Sequence, residues 1–340
     1  MTSRMLEEAR EAPESIERLV AADEARYATL GADLRDEPPR SILTVARGSS
    51  DHAAHYMAYL VMARLGRLVT SLPMSLVTLY QSRLERDGLL SLAFSQSGQS
   101  EDLVVPTRFF RDGGARTVAF VNDTASPLAD AAQWVFDIHA GEEESVAATK
   151  SYIAQLVAGA RLVAAWQDDE SLRKAIEKLP AALRRAVRQP WPRGIDALID
   201  ADRLFVVSRG LALAVAMEAA LKFKEVCGIQ AEAFSGAEVR HGPMALVDEG
   251  FPMLVFAPRG PAQSGLLALA DDMRRRGARV LLAAPAGTPK SELPLIASDA
   301  EDLDPITAIQ SFYPMVEALA RARDVDPDEP RHLAKVTRTR

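Results

Sequence analysis

Twice in this 340-residue chain an apolar stretch runs into a glycine turn and then into an alanine-rich helical segment. Residues 42–48 read ILTVARG and residues 204–210 read LFVVSRG. Around each copy, short apolar runs alternate with longer segments of helical spacing. Strands are expected over 41–48, 68–72, 88–94, 116–121 and 134–138, then over 203–207, 251–257, 279–284 and 293–297. Helices are expected over 6–34, 53–65, 101–112, 144–166 and 171–187, after Gly210, and over 262–276 and 306–323. Strands that alternate with helices pair in parallel through crossovers, which makes βαβ units. The QPWPRG segment at 189–194 separates the two series. The chain is therefore expected to be α/β, with two similar doubly wound parallel-sheet domains over 36–188 and 189–323. A helical arm over 1–35 precedes them, and a polar tail over 324–340 that carries Lys335 follows. Ligands of such sheets bind at the carboxyl ends of the strands.

The net charge of −7, with no long basic run, argues against nucleic acid or an anionic membrane as the main partner. No stretch reaches the roughly 18 unbroken apolar residues of a membrane span, and the acidic N-terminal segment has no signal-peptide core. Cys227 is the sole cysteine, so no internal disulfide can form, and a cytosolic setting is expected.

Three places carry chemistry. Ser95-Gln96-Ser97-Gly98-Gln99-Ser100 joins a buried strand to a helix and offers three hydroxyls, two amides and free backbone N–H groups. That set suits a phosphate dianion at a helix N-terminus. It has neither the GxxxxGK[ST] nor the GxGxxG pattern of nucleotide loops. A plain cap by Ser100 is the simpler reading, but a cap does not need three serines. Ser49-Ser50 after the first strand adds hydroxyls at the same sheet edge. The stretch from Leu221 to Pro243 places Glu225 near a helix end and His241 in a following turn, the two proton carriers most used at neutral pH. A docked Lys335 near a carbonyl is the third element. His52 and His55 lie three apart with no further ligand spaced to complete a metal site, so packing or surface roles are expected for them.

Four ordered segments are similar to one family: SQSGQSED (95–102), ESVAATKSYIAQL (144–156), EAALKFKEVCGIQAEAFSGAEVRHGPMALVD (218–248) and DEPRHLAKV (328–336). The chain resembles the SIS, or sugar isomerase, family. Within it the likeness is to the isomerase half of glutamine–fructose-6-phosphate amidotransferase and to the SIS-type glucosamine-6-phosphate deaminases. The resemblance implies two flavodoxin-like SIS domains. Ser50, Ser95, Gln96, Ser97 and Ser100 would hold a sugar phosphate. Ser49 and Val146 would line the sugar site. Glu225 would move a proton between the first two sugar carbons, supported by Lys222. His241 would open the sugar ring, delivered from the second subunit of a homodimer. Lys335, with Ala334 beside it, would reach the substrate carbonyl. No metal or organic cofactor is required.

The departures from the family point to direction. The sequence has no glutaminase half and no cysteine near Met1, so the expected activity is conversion of glucosamine 6-phosphate to fructose 6-phosphate and ammonia. The alternatives are a deglycase of fructosamine 6-phosphate, a galactosamine-6-phosphate enzyme, a glutaminase-lacking synthase-like protein, or a sugar-phosphate sensor. The family's usual cysteine before the first glycine is Arg47 here, and the tail after Lys335 reads VTRTR.

Overall fold

The structure, a computed structural model, describes residues 2–335. Its described residues form two compact units. The first unit holds Glu14–Glu143, Lys150–Glu177 and the chain from Ala334. The second holds the residues up to Pro13, Glu144–Thr149 and Lys178–Leu333.

The chain opens with α1 (Arg4–Ala21) and α2 (Glu24–Asp36). These replace the single helix expected over 6–34. The break falls at Asp23, whose φ of 58° is left-handed and cannot continue a helix. The first unit continues with β1 (Ser41–Val45), α3 (Gly48–Leu65), β2 (Val69–Ser71), α4 (Ser75–Thr78) and β3 (Leu89–Ser95). It is completed by α5 (Glu101–Asp112), β4 (Arg116–Val121), α6 (Pro127–Ala131), β5 (Trp134–Asp137) and α7 (Lys150–Gln167). Its five strands are all parallel, in the order β2-β1-β3-β4-β5.

Register explains much of the packing. Phe94 pairs with Phe120, and Phe120 with Phe136, on neighbouring strands. Their rings stack at 4.7 and 5.6 Å, an apolar ladder across the sheet that fixes which face is inward. On the other face Val45, Ala93, Ala119 and Val121 pack against Leu103, Val104 and Phe110 of α5.

Helix α8 (Glu170–Ala186) leads to α9 (Pro192–Leu198), a short helix with proline in its first turn that begins within the expected domain boundary at 189–194. The second sheet follows: β6 (Arg203–Ser208), α10 (Leu213–Cys227), β7 (Gln230–Ser235), β8 (Pro252–Phe256), α11 (Gln263–Arg275), β9 (Arg279–Pro285) and β10 (Leu293–Leu295). Helix α12 (Asp304–Ala322) closes the series. The five strands are again all parallel, in the order β10-β9-β8-β6-β7. Numbered from β6, that is the first sheet's 2-1-3-4-5 order, so the duplicated sequence signal corresponds to a duplicated topology.

Two expectations need correction. Strand β7 falls where no strand is expected. Its QAEAFS sequence lacks β-branched side chains, and it is a strand because it hydrogen-bonds along β6 from Gln230 to Ser235. The helix expected from 144 begins only at Lys150. Residues 144–149 are irregular, and buried carboxylates accept from backbone donors in and just after this segment. Glu8 accepts from the N–H groups of Glu144 and Ser145, and Glu143 accepts from that of Ser151. Among the described residues no helix is long and apolar enough to cross a membrane. The last five tail residues, including Arg338 and Arg340, lie outside the described residues.

Candidate active site

In the first unit the chain runs in opposite directions across the sheet from β1 and from β3, so the crevice between these neighbours is the topological switch point. Two turns meet there, residues 46–50 after β1 and 96–100 after β3. Their side chains are organised from within. Ser95 Oγ accepts from the Gly98 N–H at 3.0 Å, and Ser97 Oγ from that of Gln99 at 3.3 Å. Ser100 occupies the N-cap of α5, yet its side chain makes no capping bond. The cap reading of the serine-rich loop therefore does not account for Ser100. Its hydroxyl, half-buried Gln96 and Ser97, and the first-turn N–H groups of α5 stand at one helix N-terminus. Ser49 and Ser50 lie in the first turn of α3. Ser50 Oγ accepts from Gln155 Nε2 of α7 at 3.0 Å, while Gln155 Oε1 is buried with no partner.

Gly98 is required by shape. Its φ is +63°, and a Cβ there would come 2.1 Å from Ser126 Oγ and 2.5 Å from Ser126 Cβ. Ser126 is buried and caps α6 through the Ala129 N–H, so it has nowhere to move. Gly98→Ala should destabilise the first unit by about 1–3 kcal/mol, because overpacking and a left-handed backbone act together. A urea denaturation midpoint unchanged from wild type would contradict this.

In the second unit the candidate residues Lys222 and Glu225 lie on α10. Glu218, Lys222 and Glu225 are spaced i, i+4 and i+7, so they share one helix face. Lys222 Nζ lies 3.2 Å from Glu218 and donates to Glu225 Oε2. Burial by itself would lower the lysine's pKa; the two carboxylates outweigh it and hold it above its ordinary value. The side chains of Glu218 and Lys222 are 0 % exposed, whereas Glu225 is 16 % exposed. Glu225 is thus the member of the triad that reaches outward. It opens on a groove of about 540 Å³ lined also by Leu221, Lys224, Arg331 and Leu333. His241 is exposed on the turn after β7, preceding Gly242.

Lys335 belongs to the first unit. Its Nζ donates to Glu143 Oε2 at 3.0 Å, and Glu143 is fully buried and also accepts from Ser151 Oγ at 2.5 Å. Ala334 beside it is exposed. Val146 is half-buried in the irregular 144–149 segment of the second unit. Four polar groups at these sites escaped the sequence reading. Glu218 was legible as a glutamate four residues before Lys222 on a helix. Glu143, Gln155 and Asp102 were not, because only tertiary contacts assign them a partner.

Three other titratable groups are shifted by burial. Burial pushes the Cys227 thiol up to about 12, and the thiol donates to the Val316 carbonyl at 3.5 Å. On α3, burial lowers the pKa of His55 and raises that of Asp51. Among the described residues no group of three or more His, Cys, Asp or Glu side chains is arranged to hold a metal ion.

The SIS domain model matches residues 37–165 and 197–298, one segment in each sheet region. The chain belongs to the SIS domain family. This SIS chain is 35 % identical over 312 residues to the glutamine–fructose-6-phosphate aminotransferase (isomerizing) of Methanothermobacter thermautotrophicus, covering 86 % of the chain and 51 % of that protein. It is 32 % identical to the enzyme of the same name from Thermus thermophilus, covering 90 % and 56 %. The chain thus spans about half the length of the curated relatives it matches. Among solved structures, a candidate phosphosugar isomerase from Silicibacter pomeroyi superposes with a TM-score of 0.91 at 44 % identity, over 96 % of this chain and all of the other. A glucosamine-6-phosphate deaminase from Thermotoga maritima shares the fold, with a TM-score of 0.78 at 22 % identity over 99 % of this chain and all of that one.

Proposed function

We propose that this SIS chain is a phosphosugar isomerase that converts glucosamine 6-phosphate and water to fructose 6-phosphate and ammonia. The observation that carries this reading is the Glu218–Lys222–Glu225 triad, in which the outward member is a carboxylate backed by a buried ammonium. A carboxylate so placed can take a proton from one carbon of an aldose–ketose pair and return it to the next.

His241 assists ring opening, exposing the C1 aldehyde. Glu225 removes the C2 proton, giving an enolamine, and delivers it to C1. The resulting C2 iminium adds water and expels ammonia, leaving the C2 ketone. Lys335 donates to the developing oxyanion as an ammonium; Glu143 fixes its position. The neutral hydroxyl and amide groups of residues 95–100, with Ser49 and Ser50, hold the phosphate, so that remote binding energy orients the reacting carbons. Val146 and Ala334 line the sugar. A homodimer in which His241 comes from the second subunit completes the proposal.

Incubation with glucosamine 6-phosphate should release ammonia and fructose 6-phosphate in equal amounts. Turnover of galactosamine 6-phosphate or a fructosamine 6-phosphate in its place would redirect the substrate assignment, and binding without any turnover would favour a sensor.

A further inference from the structure

Position 47 lies at the switch point of the first sheet. Arg47 is the extended residue that precedes α3, directly before Gly48-Ser49-Ser50. Its Nη2 donates to Asp102 Oδ2 at 3.1 Å. Asp102 is the second residue of α5, so this bond ties the turn after β1 to the helix that follows the 96–100 loop. The two partners are unequally placed. The Asp102 side chain is 9 % exposed, whereas that of Arg47 is 55 % exposed. A guanidinium has five donors in a planar fork, and the Asp102 bond uses one of them.

The charge around the crevice shows what this arrangement answers. The first turns of α3 and α5 already carry Asp51, Glu101 and Asp102. Carboxylates favour helix N-termini, but a phosphate dianion brought to the same N-termini is repelled by them. The hydroxyls and amides of the cradle are neutral and cannot offset that repulsion. A half-exposed guanidinium that is anchored on the buried carboxylate can, since it neutralises Asp102 and still presents N–H donors outward.

We propose that Arg47 is a phosphate-binding residue of this chain, held by Asp102 so that its free donors close the serine cradle on the ligand's phosphate. The inference rests on the reading of residues 95–100 as a phosphate site. It implies a ligand anion of charge −2 rather than a neutral sugar, and it gives this chain a charged cradle where the loop sequence alone suggests a neutral one.

Titration calorimetry with inorganic phosphate tests it without requiring turnover. Arg47→Ala should weaken phosphate binding by about 10- to 100-fold, the range for losing charge-assisted hydrogen bonds. The variant should also flatten the salt dependence of binding, because a screened charge has been removed. Arg47→Lys keeps the charge but not the fork and should fall between. In turnover of glucosamine 6-phosphate, kcat/KM should fall by a similar factor, with part of the loss in kcat because the phosphate contacts orient the reacting carbons. Phosphate affinity and salt dependence equal to wild type in a folded Arg47→Ala protein would overturn the assignment while leaving the serine cradle standing. Failure of wild type to bind phosphate at all would overturn the cradle reading and the role of Arg47 together.

Discussion

Glu225→Gln is expected to lower kcat for ammonia release from glucosamine 6-phosphate by about 10²- to 10⁴-fold, the range for loss of a positioned general base. The substitution is nearly isosteric, and the Lys222–Glu218 pair remains. The melting temperature should therefore stay within a few degrees of wild type and KM should change little, since the amide keeps the shape of the site but cannot accept the C2 proton. Exchange of the C2 hydrogen with solvent deuterium is the most direct measurement, because it reports proton abstraction apart from ring opening or ammonia loss. Exchange at the wild-type rate in Glu225→Gln would remove Glu225 from the mechanism. His241→Ala should fail earlier, at ring opening. If His241 is supplied by a second subunit, a mixture of the two inactive proteins should regain up to about a quarter of wild-type activity after subunit exchange, the share of sites that statistical pairing leaves with both residues intact. No recovery after proven exchange would place both residues in one chain.

What the sequence disclosed and withheld follows from the range of the forces involved. Strands β1, β3 and β4 were legible because strands covered on both faces are near-continuous apolar runs. The duplicated glycine turn was legible because a left-handed φ favours one residue type: Gly48 and Gly210 have φ of 55° and 70°. Strand β7 was not legible, because alanine and glutamate have no strand preference of their own and only the register against β6 makes them one. The late start of α7 was not legible either. ESVAATK has helical composition, and the carboxylates that accept from its backbone include Glu8, 136 residues away from Glu144. The same division runs through the candidate site. Glu225 and Lys222 share one helical face, so spacing alone couples them. Glu143 meets Lys335 across 192 residues, and Arg47 meets Asp102 across 55, pairings that exist only once the first sheet has formed.

Lys222→Met should be the most destabilising single change on α10. Removing one partner from a fully buried ion pair costs about 3–5 kcal/mol, because the surviving charge stays desolvated. Here two carboxylates survive, Glu218 at 0 % exposure and Glu225 at 16 %. That is a large share of the roughly 5–15 kcal/mol that holds a domain together. The sign of the pH dependence separates this from an ordinary packing defect. Burial opposes the ammonium of Lys222, but its carboxylate partners raise its pKa above the ordinary 10.5. Its pairing therefore stabilises the wild type fully below that pH, and is lost only as pH rises through the higher folded value. In Lys222→Met the crowded carboxylates make the fold take up a proton that the unfolded chain releases near pH 4. The variant's stability should then fall as pH rises from 5 to 8, a range where the contribution of Lys222 to the wild type is constant. Urea midpoints across that range measure the difference. Adding Glu218→Leu, which removes one of the two stranded charges, should recover much of the loss. If the stability gap to wild type is instead flat with pH and Glu218→Leu deepens it, Lys222 serves as packing volume and not as the charge that holds Glu225 in place.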